Sequence, residues 1–142
     1  VGMADPIALV VAISAAQAVE FVGLPEARIP LAQAAIYVAC APKSNSVVSA
    51  IDSALSAVRD EPNSAVPAHL KDASYPGAAR LGHGVNYQYP HDFPEHFVLQ
   101  QYLPGTMITK QFYHPSDSGT EAKIKERLAR LWQSAKDGSE KS

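Results

Sequence analysis

The chain has 142 residues, which is the usual length of one domain, and it carries a formal net charge of -2 at pH 7. Hydrophobic residues make up 46% and charged residues 18%, a composition that excludes an intrinsically disordered chain. The small net charge gives no general attraction to nucleic acid or to an anionic membrane. The single cysteine, Cys40, excludes an internal disulfide and favours a reducing compartment such as the cytoplasm.

The longest apolar stretch, residues 7–22, is interrupted by Ser14, Gln17 and Glu20. It is shorter than the ~20 apolar residues that a membrane-spanning helix needs, so we expect no membrane partner. The chain opens with Val1 rather than methionine, which leads us to expect a piece of a longer protein.

Composition changes sharply near residue 61. Residues 1–61 hold fifteen alanines, whereas 62–115 hold seven of the eleven prolines and all five histidines. Closely spaced prolines prevent long helices. We therefore predict a single domain over 1–136 with three parts and a frayed tail: a helical part at 1–61, an irregular segment at 62–117, a terminal helix at 118–136 and the tail at 137–142.

Three helices are predicted in the helical part. The first begins at Asp5-Pro6, an N-cap followed by a proline suited to the first turn, and ends at Gly23. The second begins near Pro30 and is halted by Pro42; its faces are nearly all apolar or small, so we expect burial on most sides.

The third helix begins at Ser44 or Asn45 and ends before Glu61-Pro62. Its apolar residues share one face at helical spacing, so we expect the three helices to form a compact bundle. The residues of that face are Val48, Ile51, Leu55 and Val58.

The terminal helix has Ser118 and Glu121 at the spacing of a capping box. An apolar stripe that includes Leu128 and Trp132 is expected to pack on the domain itself. In the irregular segment, short helical turns are predicted at 68–74 and 78–81, and residues 98–113 have room for a short strand pair. The predicted class is all-α.

The residues argue against catalysis and against a bound cofactor. Lys43-Ser44 is preceded by residues 39–42, which lack the glycines of a phosphate-binding loop. No serine lies in a Gly-x-Ser-x-Gly elbow, and Cys40 lies in an apolar helix where a thiol acts as a small hydrophobe. We predict no catalytic residue, no cofactor-binding residue and no metal ligand.

The histidines match no common zinc spacing. The interpretation favoured for His83 and His91 is structural: hydrogen bonds to backbone carbonyls in a loop that no regular ladder satisfies. As an alternative, Lys43 and three residues of the 80–92 loop are candidates for a surface that contacts DNA or a partner protein. Those three residues are Arg80, His83 and His91.

Seven collinear strings carry a specific resemblance. They are DP at 5–6, VGLPEA at 22–27, LAQAAIY at 31–37 running into APKSN at 41–45, VPAHLKD at 66–72, LGHG at 81–84 followed by YQYPHD at 87–92, QYLP at 101–104, and FY at 112–113 with GTE at 119–121. Together they resemble the C-terminal region of the RarA/MgsA replication-associated recombination ATPases, relatives of the Werner-helicase-interacting protein.

The resemblance implies a noncatalytic oligomerisation domain, similar to a clamp-loader collar, that holds an AAA+ ATPase as a homotetramer. It implies a parent that binds ATP and Mg, acts on DNA at stalled replication forks near the nucleoid, and contacts single-strand-binding protein. The ATPase motifs would lie upstream of Val1, in an AAA+ module that is itself a partner of this domain.

Two positions depart from the family pattern: Lys71 stands where arginine is common, and Gln88 where lysine is common. Both changes weaken contact with phosphate, so DNA binding is not transferred to this loop. Two other classes remain open, namely a module that binds DNA or a partner protein, and the collar of a true clamp-loader subunit.

Overall fold

The computed structural model describes residues 1–61 and 65–139, and within these ranges all regular secondary structure is helical. Four α-helices are present, together with six single-turn 3-10 helices. The all-α class is therefore confirmed. The α-helices are α1 (Ile7–Val22), α2 (Arg28–Cys40), α3 (Ser46–Asp60) and α4 (Thr120–Ser139).

The strand pair suggested for 98–113 was wrong, since no strand occurs in the described residues. The backbone of Gln88 is hydrogen-bonded by the side-chain amide of Gln100 and not by a neighbouring strand. Its Nε2 donates to the carbonyl of Gln88 at 2.7 Å, and its Oε1 accepts from the Gln88 N–H at 3.2 Å. Short 3-10 turns occur at Ala68–Leu70 and Ala78–Leu81, inside the two segments where helical turns were predicted.

The chain divides into two compact units. The first comprises Val1–Ile51 and Tyr113–Glu126, and the second comprises Asp52–Phe112 and Arg127–Ser142. The predicted frayed tail falls partly in α4, which continues to Ser139, while residues 140–142 lie outside the described residues. Residues 62–64, at the predicted start of the irregular segment, also lie outside them.

The ends of α1 follow from local chemistry. Asp5 Oδ1 accepts the Ile7 N–H at 3.1 Å, which satisfies a free donor of the first turn. Asp5 Oδ2 accepts the hydroxyl of Tyr37 at 2.8 Å and so links the start of α1 to α2. Gly23 ends the helix with φ 74°, a conformation in which glycine carries no steric penalty.

Helices α1 and α2 pack on each other through alanines. Ala8 and Ala15 of α1 and Ala34 of α2 are buried, whereas most of the large apolar side chains of both helices remain exposed. The prediction that α2 is buried on most sides was wrong. Small side chains let two helices approach closely, but they cover only one narrow face of each.

Helix α3 does not bury the apolar face predicted for it. Val48, Ile51, Leu55 and Val58 are 49–60% exposed, and only Ala57 of this helix is a buried hydrophobic residue. A compact three-helix bundle is therefore not formed within the single chain. The sequence correctly predicted a helix with one apolar face, but it wrongly predicted that this face is buried within the chain.

A buried carboxylate organises the first unit. The side chain of Glu121, in the first turn of α4, is 0% exposed. Its Oε1 accepts the hydroxyls of Ser46 and Tyr113, and its Oε2 accepts the N–H and the hydroxyl of Ser116. A capping box would have the Glu121 carboxylate accept the N–H of Ser118. That prediction was wrong, because the Ser118 N–H donates to Ser116 Oγ instead.

These donors keep Glu121 ionised. Burial alone would raise the pKa of this carboxyl, but hydrogen bonds from Ser116, Ser44, Ser46 and Tyr113 outweigh burial and lower the pKa to about 2. The negative charge also lies at the N-terminal end of α4, where the helix dipole favours an anion.

Gly119 permits the close packing beside this cluster. It has φ 55°, and a Cβ atom there would lie 2.2 Å from the carbonyl oxygen of Ala4 and 2.7 Å from Pro42 Cγ. No side chain fits at that separation. The N-terminal turn, the end of α2 and the start of α4 therefore meet at a glycine.

The second unit is held by scattered contacts. Val98, Met107 and Leu131 are its buried residues of largest apolar volume. Arg130 pairs with Glu95 at 2.9 Å, and Phe97 meets the edge of Trp132 with ring centroids 5.8 Å apart. Trp132 is nevertheless half exposed, so the terminal stripe packs on its own domain only in part.

We expect Glu121→Ala to lower the free energy of unfolding by about 3 kcal/mol, since it leaves buried hydroxyl and N–H donors without a charged acceptor. Tyr113→Phe removes one of these bonds and should cost about 1 kcal/mol. Chemical denaturation followed by circular dichroism measures both values. Equal losses in the two variants would contradict the central role of the carboxylate.

The same carboxylate predicts a pH dependence. Because its pKa is lowered from 4.5 to about 2 on folding, its contribution to stability is complete above pH 4.5 and is lost as the pH falls toward 2. Melting temperatures measured between pH 6 and pH 2 should fall less steeply for Glu121→Gln than for the wild type. Parallel curves would show that Glu121 titrates normally in the folded chain.

Candidate functional site

The most conspicuous feature of the chain is its exposed apolar surface. The accessible surface is 10299 Å², whereas a folded monomer of this mass is expected to expose about 7,100 Å². Many large apolar side chains contribute to the difference, above all those of α1, α2 and α3. Large exposed apolar patches mark interaction sites, so these helices are the candidate site.

One part of it, which we call the α1–α2 surface, is made of the exposed large apolar side chains of these two helices, among them Leu9 and Phe21 of α1 and Ile29 and Ile36 of α2. Phe21 is 88% exposed, and the two isoleucines are 67% and 65% exposed. A shallow groove along α2 adjoins Ile29 and Ile36 and is lined almost entirely by apolar atoms. Its lining residues are Arg28, Ile29, Ala32, Gln33, Ile36 and Tyr37.

A second part is the α3 stripe, defined by Val48, Ile51, Leu55 and Val58. The spacing of three, four and three residues places these side chains in one row along the helix. Polar residues, among them Ser49 and Ser53, occupy other faces of α3 and are also exposed. The helix is therefore amphipathic, with its apolar side open.

Lys43, the first residue of the predicted DNA- or partner-contact surface, follows the end of α2. Its ammonium donates to the carbonyl oxygens of Val38 at 2.7 Å and Ala39 at 3.3 Å, and also to that of Ala41. These carbonyls form the negative end of the helix dipole. The ammonium group of Lys43 therefore caps the C-terminal end of α2.

The other three predicted residues belong to the second unit, whereas Lys43 belongs to the first. Arg80 is exposed in a 3-10 turn. His83 Nδ1 lies 2.6 Å from the hydroxyl of Tyr75, so its partner is a side chain and not the expected backbone carbonyl. The ring of His91 lies near those of Tyr89 and His96, with centroid separations of 5.0 Å and 4.8 Å and tilts of 41° and 46°. A contact surface containing these four residues stays a prediction.

The structure also places Cys40 and the backbone before Lys43. Within residues 1–61 and 65–139, no three His, Cys, Asp or Glu side chains are grouped as metal ligands. Residues 39–40 end α2 and Ala41 is extended, so the backbone before Lys43 does not wrap around a phosphate. Cys40 is exposed at the last position of α2, which corrects its interpretation as a buried hydrophobe. Among the described residues, no helix has both the length and the apolar character needed to cross a bilayer.

Comparison with known proteins identifies the family. The family model described as MgsA AAA+ ATPase C terminal matches residues 1–132. The chain belongs to this family. The resemblance inferred from the seven strings is confirmed.

Characterised relatives are similar over most of the chain. Replication-associated recombination protein A of Bacillus subtilis is 49% identical over 119 residues, which cover 84% of this chain and 28% of the relative. Its Escherichia coli K12 namesake is 40% identical over 92% of this chain and 30% of its own length. ATPase WRNIP1 of Dictyostelium discoideum is 38% identical over 80% of this chain and 13% of its own length. The chain thus spans less than a third of the relatives it matches.

Sequence reasoning missed two features of the site. It assigned the stripe of α3 to the interior of a bundle, although the same 3-4-3 spacing is typical of a helix that pairs with another helix. It also assigned Glu121 to a local cap, although no local signal shows that Ser46 and Tyr113 converge on it.

The described basic residues predict weak binding of single-stranded DNA. Lys125 is paired with Asp117, Arg130 with Glu95 and Lys110 with Glu61. Each phosphate neutralised on a single strand contributes about -0.7 to the slope of log affinity against log salt concentration. We expect a slope shallower than about -3 for the isolated chain, which corresponds to fewer than about four phosphates.

Fluorescence anisotropy of a labelled oligonucleotide across a salt series measures this slope, and Arg80→Ala is the matched variant. A steeper slope that Arg80→Ala reduces would favour the DNA-binding alternative.

Proposed function

We propose that this chain is a noncatalytic oligomerisation domain that holds an AAA+ ATPase as a homotetramer. The observation that carries the proposal is the surplus of exposed surface. The chain exposes about 3,200 Å² more than a monomer of its mass is expected to expose. A standard interface takes about 800 Å² from each partner, so the surplus suffices for more than one interface.

The chemistry of the surplus surface supports self-association. A helix that is apolar on all sides belongs in the interior of an assembly, and the exposed residues of α1 and α2 include few charges. A second copy of the same chain offers an equally apolar surface, so both are removed from water together. Burial of apolar surface contributes roughly 25 cal/mol per Å² before the costs of association.

Such a domain serves an ATPase without doing chemistry. In NTPases that receive an arginine from a neighbouring chain, hydrolysis depends on how closely that arginine approaches the phosphate. A collar that fixes the subunits side by side would set this geometry. On this proposal ATP and Mg are bound by the AAA+ module of the parent, and this domain holds neither.

We extend the proposal to the parent protein because its relatives are named for replication and recombination. The parent would act on DNA at stalled forks, in repair as well as recombination, in the cytoplasm near the nucleoid. A contact with single-strand-binding protein would be made by the parent. The collar of a clamp-loader subunit, the other helical reading, predicts a hetero-oligomer rather than self-association.

Sedimentation equilibrium of the isolated chain tests the central proposal. We expect a species near four times the 15.2 kDa mass of the chain, with dissociation only on dilution. The protein concentration should be varied over about two orders of magnitude, so that association can be distinguished from nonideal sedimentation at high concentration. A single species at the mass of one chain throughout that range would refute self-association.

A further inference from the structure

We propose that residues 1–5 form a rigid joint that fixes the orientation of the AAA+ module on the first unit, instead of tethering the module flexibly. We call these residues the N-terminal joint. The inference rests on the proposed function, in which the AAA+ module of the parent precedes this domain. The family model that matches residues 1–132 is described as the C terminal part of such an ATPase.

The N-terminal joint is ordered and covered. The first residues of a domain are usually poorly ordered unless contacts hold them. Here Gly2–Ala4 form a 3-10 turn, Ala4 is 1% exposed, and Val1 and Met3 are partly buried. The Ala4 N–H donates to the carbonyl of Val1 at 3.3 Å, which closes the turn. Residues packed in this way do not have the properties of a flexible linker.

The N-terminal joint is held tightly between two helix ends. A Cβ atom at Gly119, directly before α4, would lie 2.2 Å from the carbonyl oxygen of Ala4. The same Cβ would lie 2.7 Å from Cγ of Pro42, which follows the end of α2. Backbone atoms cannot swing aside as the tip of a flexible side chain can. The turn therefore cannot shift toward Gly119 unless the start of α4 shifts with it.

A second glycine brings the N-terminal joint against the start of α3. Gly2 has φ 57°, and a Cβ atom there would lie 2.9 Å from the carbonyl oxygen of Ser44 and 3.7 Å from Val47 Cγ2. Glycine adopts this left-handed conformation without strain. At the other end of the joint, Asp5 accepts the hydroxyl of Tyr37 in α2 at 2.8 Å. The joint thus contacts three helices or their ends within one compact unit.

These contacts adjoin the buried carboxylate. Gly119 lies two residues before Glu121, whose carboxylate accepts the hydroxyl of Ser46 at the start of α3. The starts of α3 and α4 are therefore fixed to each other by a hydrogen bond, and both are in close contact with the N-terminal joint. A buried polar network with every member satisfied is rigid, so a displacement of the joint is passed to both helices.

Rigidity matters for an ATPase that takes an arginine from a neighbouring subunit. A misplacement of about 1 Å in a catalytic group can lower a rate about 100-fold. A flexible linker of four glycine and serine residues has a root-mean-square end-to-end distance of about 11 Å. Since that distance far exceeds the tolerated misplacement, the collar can position the arginine only through a rigid connection.

The experiment uses the full-length parent protein. One variant inserts Gly-Ser-Gly-Ser directly before Val1, which loosens the connection without altering any residue of the domain. A second variant, Gly2→Ala, forces the turn away from Ser44. The matched control, Tyr113→Phe, weakens the same unit at a residue outside the N-terminal joint. The rate of ATP hydrolysis is measured over a range of ATP concentrations, the mass by multi-angle light scattering and the melting temperature by circular dichroism.

We expect the insertion to lower kcat at least tenfold, because the arginine is no longer held in place. The KM for ATP, the tetramer mass and the melting temperature should stay unchanged, since the insertion leaves the nucleotide site and the domain intact. Gly2→Ala should also lower kcat, and Tyr113→Phe should keep kcat within about twofold of the wild type.

An insertion variant with the kcat of the wild type overturns the rigid joint and leaves the proposed function intact. A loss of kcat that accompanies loss of the tetramer also overturns it, as does an equal loss in Tyr113→Phe and Gly2→Ala, because the rate would then follow assembly or stability. A wild-type parent that is monomeric overturns the proposed function itself, so the two failures are distinguishable.

Discussion

The first unit depends on keeping one carboxylate charged away from water. Glu121 is fully buried, and it accepts hydrogen bonds from Ser46 at the start of α3, from Tyr113 and from Ser116. A buried charge is tolerated only when its lone pairs are satisfied. The position of α3 relative to the start of α4 is therefore dictated by the geometry of these bonds, and Gly119 supplies the space that the arrangement needs.

The polar cluster has an apolar counterpart. Because α1 and α2 approach each other through alanines, the space between them is narrow and the larger residues point elsewhere. The alanine-rich composition thus has two consequences at once. It brings the two helices together, and it leaves Leu9, Phe21, Ile29 and Ile36 exposed.

The surroundings of the basic side chains bear on whether the domain binds nucleic acid. The positive charges for which contacts are known are directed to carbonyls or carboxylates: Lys43 ends α2, Lys125 pairs with Asp117 and Arg130 pairs with Glu95. Surface ion pairs of this kind contribute little stability, yet they reduce the net field available to a phosphate. The surface that these contacts leave exposed is largely apolar, which suits contact between subunits.

The sequence by itself determined the all-α class, the existence of the four helices and the family. These follow from local rules: capping by Asp5, interruption at Gly23, period of the α3 stripe, and strings long enough to be specific. The start of α2 lies two residues before the predicted Pro30, at Arg28, because a proline in the first helical turn has no need of its N–H. The end of α4 lies three residues beyond the predicted 136, at Ser139.

Only the tertiary structure decided which apolar faces are covered. An amphipathic pattern shows that a face avoids water, but it does not say whether the covering atoms come from the same chain or from another. The same holds for Glu121, whose spacing from Ser118 suggested a local cap while its actual donors lie up to 75 residues away along the chain. Contacts between distant residues depend on how helices meet in space, and no local pattern records that.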